Sequence, residues 1–289
     1  MIELRTAKPE EREAVAALWG KVFGDGAEFF AGFYEKCAPY HETMVLAEDG
    51  VVGAILTAPV VGVRFPDGRE EKAGYMYALA ADPAVRGRGF GRELMRFGAE
   101  CLKEQGADWA VLVPAEPGLF RFFDRLNYTP AFSHLRREVR AGECSPVSSG
   151  DAIASAPGAE YNALRRRWLE GRLYVDCPDG MLEFQKNVAR ESGGDLHRLT
   201  LPGGDGCAVV EMGEERPVIK ELLCAGADTE RAVALLCAAY PAERWTFRLP
   251  PWHEGEGERV MWGAVCRLHH RPSSRWPEET EGYLGIALD

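Results

Sequence analysis

The run Arg86-Gly87-Arg88-Gly89-Phe90-Gly91 sets alternate glycines among arginines, a composition suited to holding an anion on main-chain N–H groups. Glycine lets the backbone approach a ligand closely. A helix opening directly after such a loop turns its unsatisfied amides and its dipole on the same anion. Arg86, Arg88 and Arg92 add positive charge at this one spot, in a chain whose 34 Lys and Arg against 45 Asp and Glu leave a net charge of -11. A diphosphate is the expected guest. A dinucleotide fingerprint starting at Gly87 would need glycine where Arg92 stands, and a P-loop would need Gly-Lys-Ser/Thr, which the chain lacks. The reading without a ligand is a tight glycine turn with solvated arginines.

For the loop to work, a strand must deliver it and a helix must leave it. Residues 73–81 read as that strand. Leu94, Gly98, Cys101 and Leu102 fall on one side of a helix over 91–105 that Gly106 can end. Upstream, residues 2–6 read as a strand, and Val15, Leu18, Trp19 and Val22 mark a helix behind Pro9. Apolar runs over 43–47 and 51–63 flank Glu48-Asp49-Gly50, a hairpin signal. Downstream come a buried strand at 109–113, a helix opened by Pro117 and a strand from Tyr128. This order predicts a mixed α/β domain over residues 1–140.

Residues 141–159, rich in Ser, Pro, Gly and Ala, read as a linker. Beyond it, helices are predicted at 161–168, 181–189 and 229–239, and strands at 196–201, 207–212, 218–224, 245–249 and 283–288. The order partly repeats the first half, so residues 160–289 form a second domain, and 289 residues suffice for two.

The run Leu79-Ala80-Ala81-Asp82-Pro83-Ala84-Val85-Arg86-Gly87-Arg88-Gly89-Phe90-Gly91-Arg92-Glu93-Leu94-Met95 resembles motif A of the GNAT superfamily of N-acetyltransferases, whose core is Arg/Gln-x-x-Gly-x-Gly/Ala. Arg86, Gly89 and Gly91 fill those places. Leu119-Phe120-Arg121-Phe122-Phe123-Asp124-Arg125-Leu126-Asn127-Tyr128 is similar to the family's late signature, a helix ending in Phe-Tyr-Glu-Lys-Leu-Gly-Phe. The resemblance covers the first 140 residues. It implies the acyl-CoA N-acyltransferase fold, an α/β architecture on a mixed sheet. It also implies acetyl-CoA as co-substrate without a metal, and direct transfer of the acetyl group, in a ternary complex, to a primary amine of a small molecule or peptide. Backbone amides over Arg86, Gly87, Arg88, Gly89, Phe90, Gly91 and Arg92 would hold the pyrophosphate. Leu79, Ala80 and Ala81 would line the pantetheine arm, and an amide near Ala80 or Ala81 would polarise the thioester carbonyl.

Such a transfer needs a neutral amine, a stabilised oxyanion and a proton for the departing thiolate. Where many family members carry a proton-donating tyrosine, this chain has Phe123. Tyr128 and Tyr77 are the candidate substitutes: Tyr128 is also the family's structural aromatic, and Tyr77 shares a strand face with Tyr75. The alternative is a solvated thiolate that leaves unaided. Glu116 is the candidate base, or else an ordinary carboxylate at a helix start. The six histidines have no nucleophile or carboxylate at informative spacing, and His269-His270 would point to opposite faces of a strand. The eight cysteines are scattered singly and read as buried thiols.

In the second half the strand at 217–224 passes through Ala225-Gly226-Ala227-Asp228 straight into a helix. This predicts a degenerate GNAT-like domain without a pyrophosphate loop. The tandem arrangement resembles the enhanced intracellular survival acetyltransferases, which have a third domain missing here and whose terminal carboxylate reaches the active site; Asp289 is the matching position. The acidic balance argues against a nucleic-acid partner, and with no apolar run long enough for a bilayer a cytoplasmic location is expected. Oligomeric state is not readable. Two functions stay open, an acetyltransferase and a catalytically silent acyl-CoA-binding regulator.

Overall fold

The computed structural model describes residues 1–39, 42–269, 276–277 and 280–288. The first half runs β1 (Ile2–Thr6), α1 (Arg12–Phe23), α2 (Ala27–Lys36), β2 (Met44–Glu48), β3 (Val51–Thr57), β4 (Val60–Arg64), β5 (Glu70–Tyr75), β6 (Tyr77–Ala81), α3 (Phe90–Glu104), β7 (Trp109–Leu112), α4 (Phe120–Asp124) and β8 (Thr129–Arg140). The second runs β9 (Ala152–Ser155), α5 (Gly158–Leu169), β10 (Tyr174–Asp176), α6 (Asp179–Glu191), β11 (Asp195–Thr200), β12 (Gly206–Met212), β13 (Pro217–Leu223), α7 (Thr229–Ala239), β14 (Arg244–Leu249) and β15 (Glu258–Arg267).

The strands form two sheets, one ordered β1-β2-β3-β6 and an eleven-stranded one ordered β10-β4-β5-β7-β15-β8-β14-β13-β12-β11-β9. Local chemistry explains the hairpin between β2 and β3: Asp49 and Gly50 take φ of 50° and 82°, as a two-residue turn between twisted strands requires. Two expected strands are each divided between the sheets. The run 51–63 breaks at Ala58-Pro59, where proline has no N–H for a ladder, so β3 joins the small sheet and β4 the large one. The run 73–81 breaks at Met76. Here β5 pairs in parallel with β7 from Ala73 to Tyr75, whereas β6 pairs with β3, with Ala78 in the left-handed region at φ 54°.

Sequence periodicity missed α2, whose Phe30, Phe33 and Tyr34 are buried against Trp19 of α1. It also missed β10 and β15. The latter comes from the second half yet lies between β7 and β8 of the first, antiparallel to both, so the large sheet runs unbroken through both halves. Segment 141–159, expected as a linker, carries structure of its own. It contains β9, paired with β11, and the buried Asp151 carboxylate held by Arg231 at 2.6 Å; a four-residue edge strand of Ala, Ile and Ser leaves little periodic signal. The strand expected at 283–288 is not a ladder. Single bridges link Phe132 to Gly282 and Tyr174 to Tyr283, and the chain then runs extended and buried between the halves, with Gly285 at φ 68°. Its apolar residues gave a strand pattern because they are buried, not because they pair. His269 follows β15; His41, His270 and Asp289 lie outside the described residues.

Under this segment lies a polar core. The Arg165 guanidinium and Glu221 carboxylate are both fully buried, 3.1 Å apart. Tyr161 donates to Glu221 at 2.8 Å, and Arg165 also donates to the carbonyls of Val175 and Leu284 at 3.0 and 3.2 Å. Burial works against the charge on Arg165, but the Glu221 carboxylate outweighs it and holds the guanidinium protonated.

Candidate active site

Because β5 stays with β7 while β6 turns away to β3, the two strands diverge after Met76, whose amide still donates to Val111 at 2.8 Å. The gap is a cleft. Its β6 side is the edge of the four-stranded sheet, so the outward backbone groups of that strand have no strand neighbour there. A cavity of about 770 Å³ fills the divergence, bounded by Tyr75 to Leu79 on one side and by Leu112, Val113 and Ala115 on the other.

The glycine-rich loop lies at the end of β6. Asp82 starts it: its carboxylate accepts the Ala84 amide at 2.9 Å and is bridged by Lys21 at 2.8 Å, and the Lys21 bond followed by the Ala84 amide holds its pKa below the usual carboxylate range. Gly87 and Gly89 take φ of 80° and 87°, a conformation L side chains rarely adopt. Gly89 is the residue before α3, so the free amides of the first turn of the helix open onto the loop. The expected residues divide by role. Arg86 and Arg92 are exposed on the loop and the first turn of α3, with no ion pair among the described residues. Arg88 is bound bidentately to Glu48 at 2.6 Å and lies 4.6 Å over the Phe90 ring, so its charge is already matched. The Phe90 ring is buried against Gly53, which leaves its amide for a ligand. Gly91 has room for a Cβ, the nearest atom being Leu79 Cδ2 at 3.9 Å. Leu79 lines the cavity, whereas the Ala80 side chain is buried on the opposite face.

The catalytic candidates are scattered. Tyr77 lines the cavity and stacks with Tyr75 at 5.8 Å, as their shared face predicts. Tyr128 does not reach it. Its ring is 2% exposed behind Phe123, its hydroxyl is buried with no hydrogen-bond partner among the described residues, and burial pushes its pKa well up; it packs as a core aromatic and is a poor proton donor. Phe123 itself lines the cavity. Glu116 is exposed ahead of the turn Pro117–Leu119 and is not among the cavity walls, because the chain turns outward before Pro117.

The structure brings in residues that no spacing signal announced. Asp25 follows the left-handed Gly24 that ends α1, lines the cavity, and is the only carboxylate among its described lining residues. Trp19 Nε1 donates to its Oδ2 at 2.7 Å and fixes it. Phe23 and Phe29 lie beside it. The far wall comes from the second half: Phe184, Gln185 and Val188 of α6, Lys220 of β13, and Leu288. The cavity wall therefore comes from both halves. In the second half, Asp228 immediately before α7 is buried, and its carboxylate accepts the Gly203 amide at 2.7 Å, not an amide of the helix. No group of three or more His, Cys, Asp or Glu that could hold a metal occurs among the described residues.

Residues 3–131 match the family model of the acetyltransferase (GNAT) domain. No curated protein is similar enough in sequence to count as a match. Among solved structures, the chain is similar to a GCN5-related N-acetyltransferase from Anabaena variabilis, with TM-score 0.73 and 12% identity over 93% of this chain and 73% of that one. It is also similar to a GCN5-related N-acetyltransferase from Kribbella flavida, with TM-score 0.69 and 16% identity over 93% and 72%. Eis1 from Mycobacterium abscessus superposes with TM-score 0.68 and 13% identity over 92% and 74%. At these identities the likeness is one of fold, and it extends through both halves.

Proposed function

We propose that the chain, whose residues 3–131 match the acetyltransferase (GNAT) domain model, is an N-acetyltransferase of that superfamily, moving an acetyl group from acetyl-CoA to a primary amine of a small molecule or peptide. The observation that carries the proposal is the divergence of β6 from β7, with the glycine-rich loop at the end of β6 and a cavity behind it that both halves complete. The site fits the donor. Amides of Gly87 to Arg92 hold the pyrophosphate, aided by Arg86 and Arg92, while Arg88 shapes the loop through Glu48. The unpaired edge of β6 offers backbone partners to the amides of the pantetheine arm, with Leu79 beside it, and the thioester carbonyl takes an amide near Ala80 or Ala81.

With the thioester held there, an amine in the cavity attacks its carbonyl carbon; a C–N bond forms, the C–S bond breaks, and the amine loses a proton. Asp25 is the carboxylate that holds the incoming ammonium and takes the proton whose loss frees the lone pair for attack, in place of Glu116; the second proton, lost as the amide forms, passes to solvent. The thiolate leaves toward Phe123 and Phe122, which offer no proton, and takes one from solvent or from Tyr77. The second half has no arginine-glycine loop ahead of α7, and it contributes to the acceptor side only. The chain acts as a GNAT domain, residues 1–140, completed by a degenerate second one.

The test is Asp25→Asn, which keeps the acceptor for the Trp19 indole but cannot take a proton. Its kcat/KM for the amine is expected to fall by about 10²-fold or more while acetyl-CoA affinity is kept. An unchanged kcat/KM would remove Asp25 from the chemistry. Phe123 at the cavity wall favours the second reading, a silent acyl-CoA binder, and binding without turnover of any amine would select it.

A further inference from the structure

Of the charged and amide side chains on the cavity wall, two are already engaged inside the protein. Lys220, 2% exposed, is matched by the Glu211 carboxylate at 3.1 Å, and Gln185 donates to the same carboxylate at 2.5 Å. Asp25 differs. Its Oδ2 accepts the Trp19 indole N–H at 2.7 Å, but no cation pairs with it among the described residues. Most of the remaining wall is apolar. Phe29 and Phe184 meet edge to face at 5.0 Å from the two halves, and Val188 lines the same space. Phe23, two residues before Asp25, is 44% exposed and also lines the cavity; no other aromatic ring among the described residues is as exposed.

A carboxylate on such a wall attracts a cation more strongly than it would in bulk water, because the surroundings screen it less. A wet apolar ring beside it is stabilised when an apolar guest covers it. A charge brought into the cavity without a partner is costly. A guest with a carboxylate would find no unmatched cation on the described wall, and a guest with a second ammonium would find no second carboxylate. We infer that the acceptor is an apolar amine with a single positive charge, an alkylamine or arylalkylamine. Its ammonium meets Asp25, and its hydrocarbon part lies along Phe23, Phe29, Phe184 and Val188. The inference rests on the acetyltransferase reading above and narrows its acceptor, leaving amino acids and polyamines as poor substrates.

The test compares butylamine, hexylamine, hexamethylenediamine, phenethylamine and phenylalanine as acceptors at saturating acetyl-CoA. In the wild type kcat/KM is expected to rise about tenfold from butylamine to hexylamine, as burial of two methylenes implies. It is expected to fall at least about tenfold when the far end of hexylamine becomes an ammonium, and again when phenethylamine gains a carboxylate. Val188 is half-buried, so Val188→Asp sets a second carboxylate on the wall and should raise use of the diamine relative to hexylamine by about tenfold. Phe23→Ser should shrink the gain from butylamine to hexylamine. Equal use of butylamine and hexylamine by the wild type, equal or better use of the diamine or of phenylalanine, or ratios that neither variant moves would overturn the inference. If Val188→Asp fails to fold by circular dichroism, the wild-type panel and Phe23→Ser decide. Should the wild type acetylate no amine, the acetyltransferase reading fails by itself and the inference is read from calorimetry with coenzyme A present. Hexylamine bound more tightly than hexamethylenediamine supports it; equal binding or none overturns it.

Discussion

Gly89 occupies the left-handed region at φ 87° immediately before α3, and no atom lies within 4 Å of where its Cβ would be. The demand for glycine there is thus conformational, and alanine would cost the loop about 1–2 kcal/mol. Gly89→Ala is therefore expected to weaken acetyl-CoA binding about tenfold in calorimetry with little change in melting temperature, and unaltered affinity would detach the loop from the cofactor. This part of the site was legible in the sequence because glycines, arginines and the flanking periodicity lie within one local stretch. Asp25, Gln185 and Lys220 were not legible. Each comes from a different element and acquires meaning only from the cavity wall it joins. Glu116 and Tyr128 drew notice by their place in the chain, yet one lies outside the wall and the other behind Phe123.

Most elements could be predicted where a local rule governs them: Asp49-Gly50 for the β2–β3 hairpin, the spacing of Val15, Leu18 and Trp19 for α1, and an apolar run ending at Ala239 for α7. Strand partners could not. The break at Met76 that opens the cleft has no proline or glycine at that residue, and β15 enters a sheet built mostly by residues far ahead of it. Packing between elements also sets a titration. His197 of β11 is buried, with Nε2 2.5 Å from the Tyr240 hydroxyl at the end of α7, and burial holds its pKa below the ordinary value of a histidine. The folded state then binds fewer protons than the unfolded one below about pH 6.5. Its contribution to stability is fully present above that pH and is lost as pH falls toward the folded pKa. The melting temperature should drop between pH 7 and 5, and His197→Gln should flatten that drop; equal slopes would show that the acid sensitivity lies elsewhere.

On the scale of the whole chain, the two halves share a sheet, a cavity wall and a helix contact. Gly180 of α6 sits so close to α2 that a Cβ would lie 2.3 Å from the Lys36 carbonyl oxygen. Just along these helices, the rings of Phe29 and Phe184 meet at 5.0 Å at the cavity. Gly180→Ala must push the helices apart. The expected cost is about 1–3 kcal/mol, seen as a lower melting temperature, with KM rising more for the amine than for acetyl-CoA; equal effects on both would mean that the second half does not shape the acceptor side.

If an acetyl group passes from acetyl-CoA to an amine held between the halves, thiol release and amine acetylation are coupled. This coupling is tested most directly by following free thiol and N-acetylated product together, by colorimetry and mass spectrometry, across a panel of primary amines. Thiol release is expected to depend on the amine and to be matched mole for mole by its acetylated form. Acetyl-CoA bound at the loop, with no thiol released above the amine-free rate for any member of the panel, would contradict it.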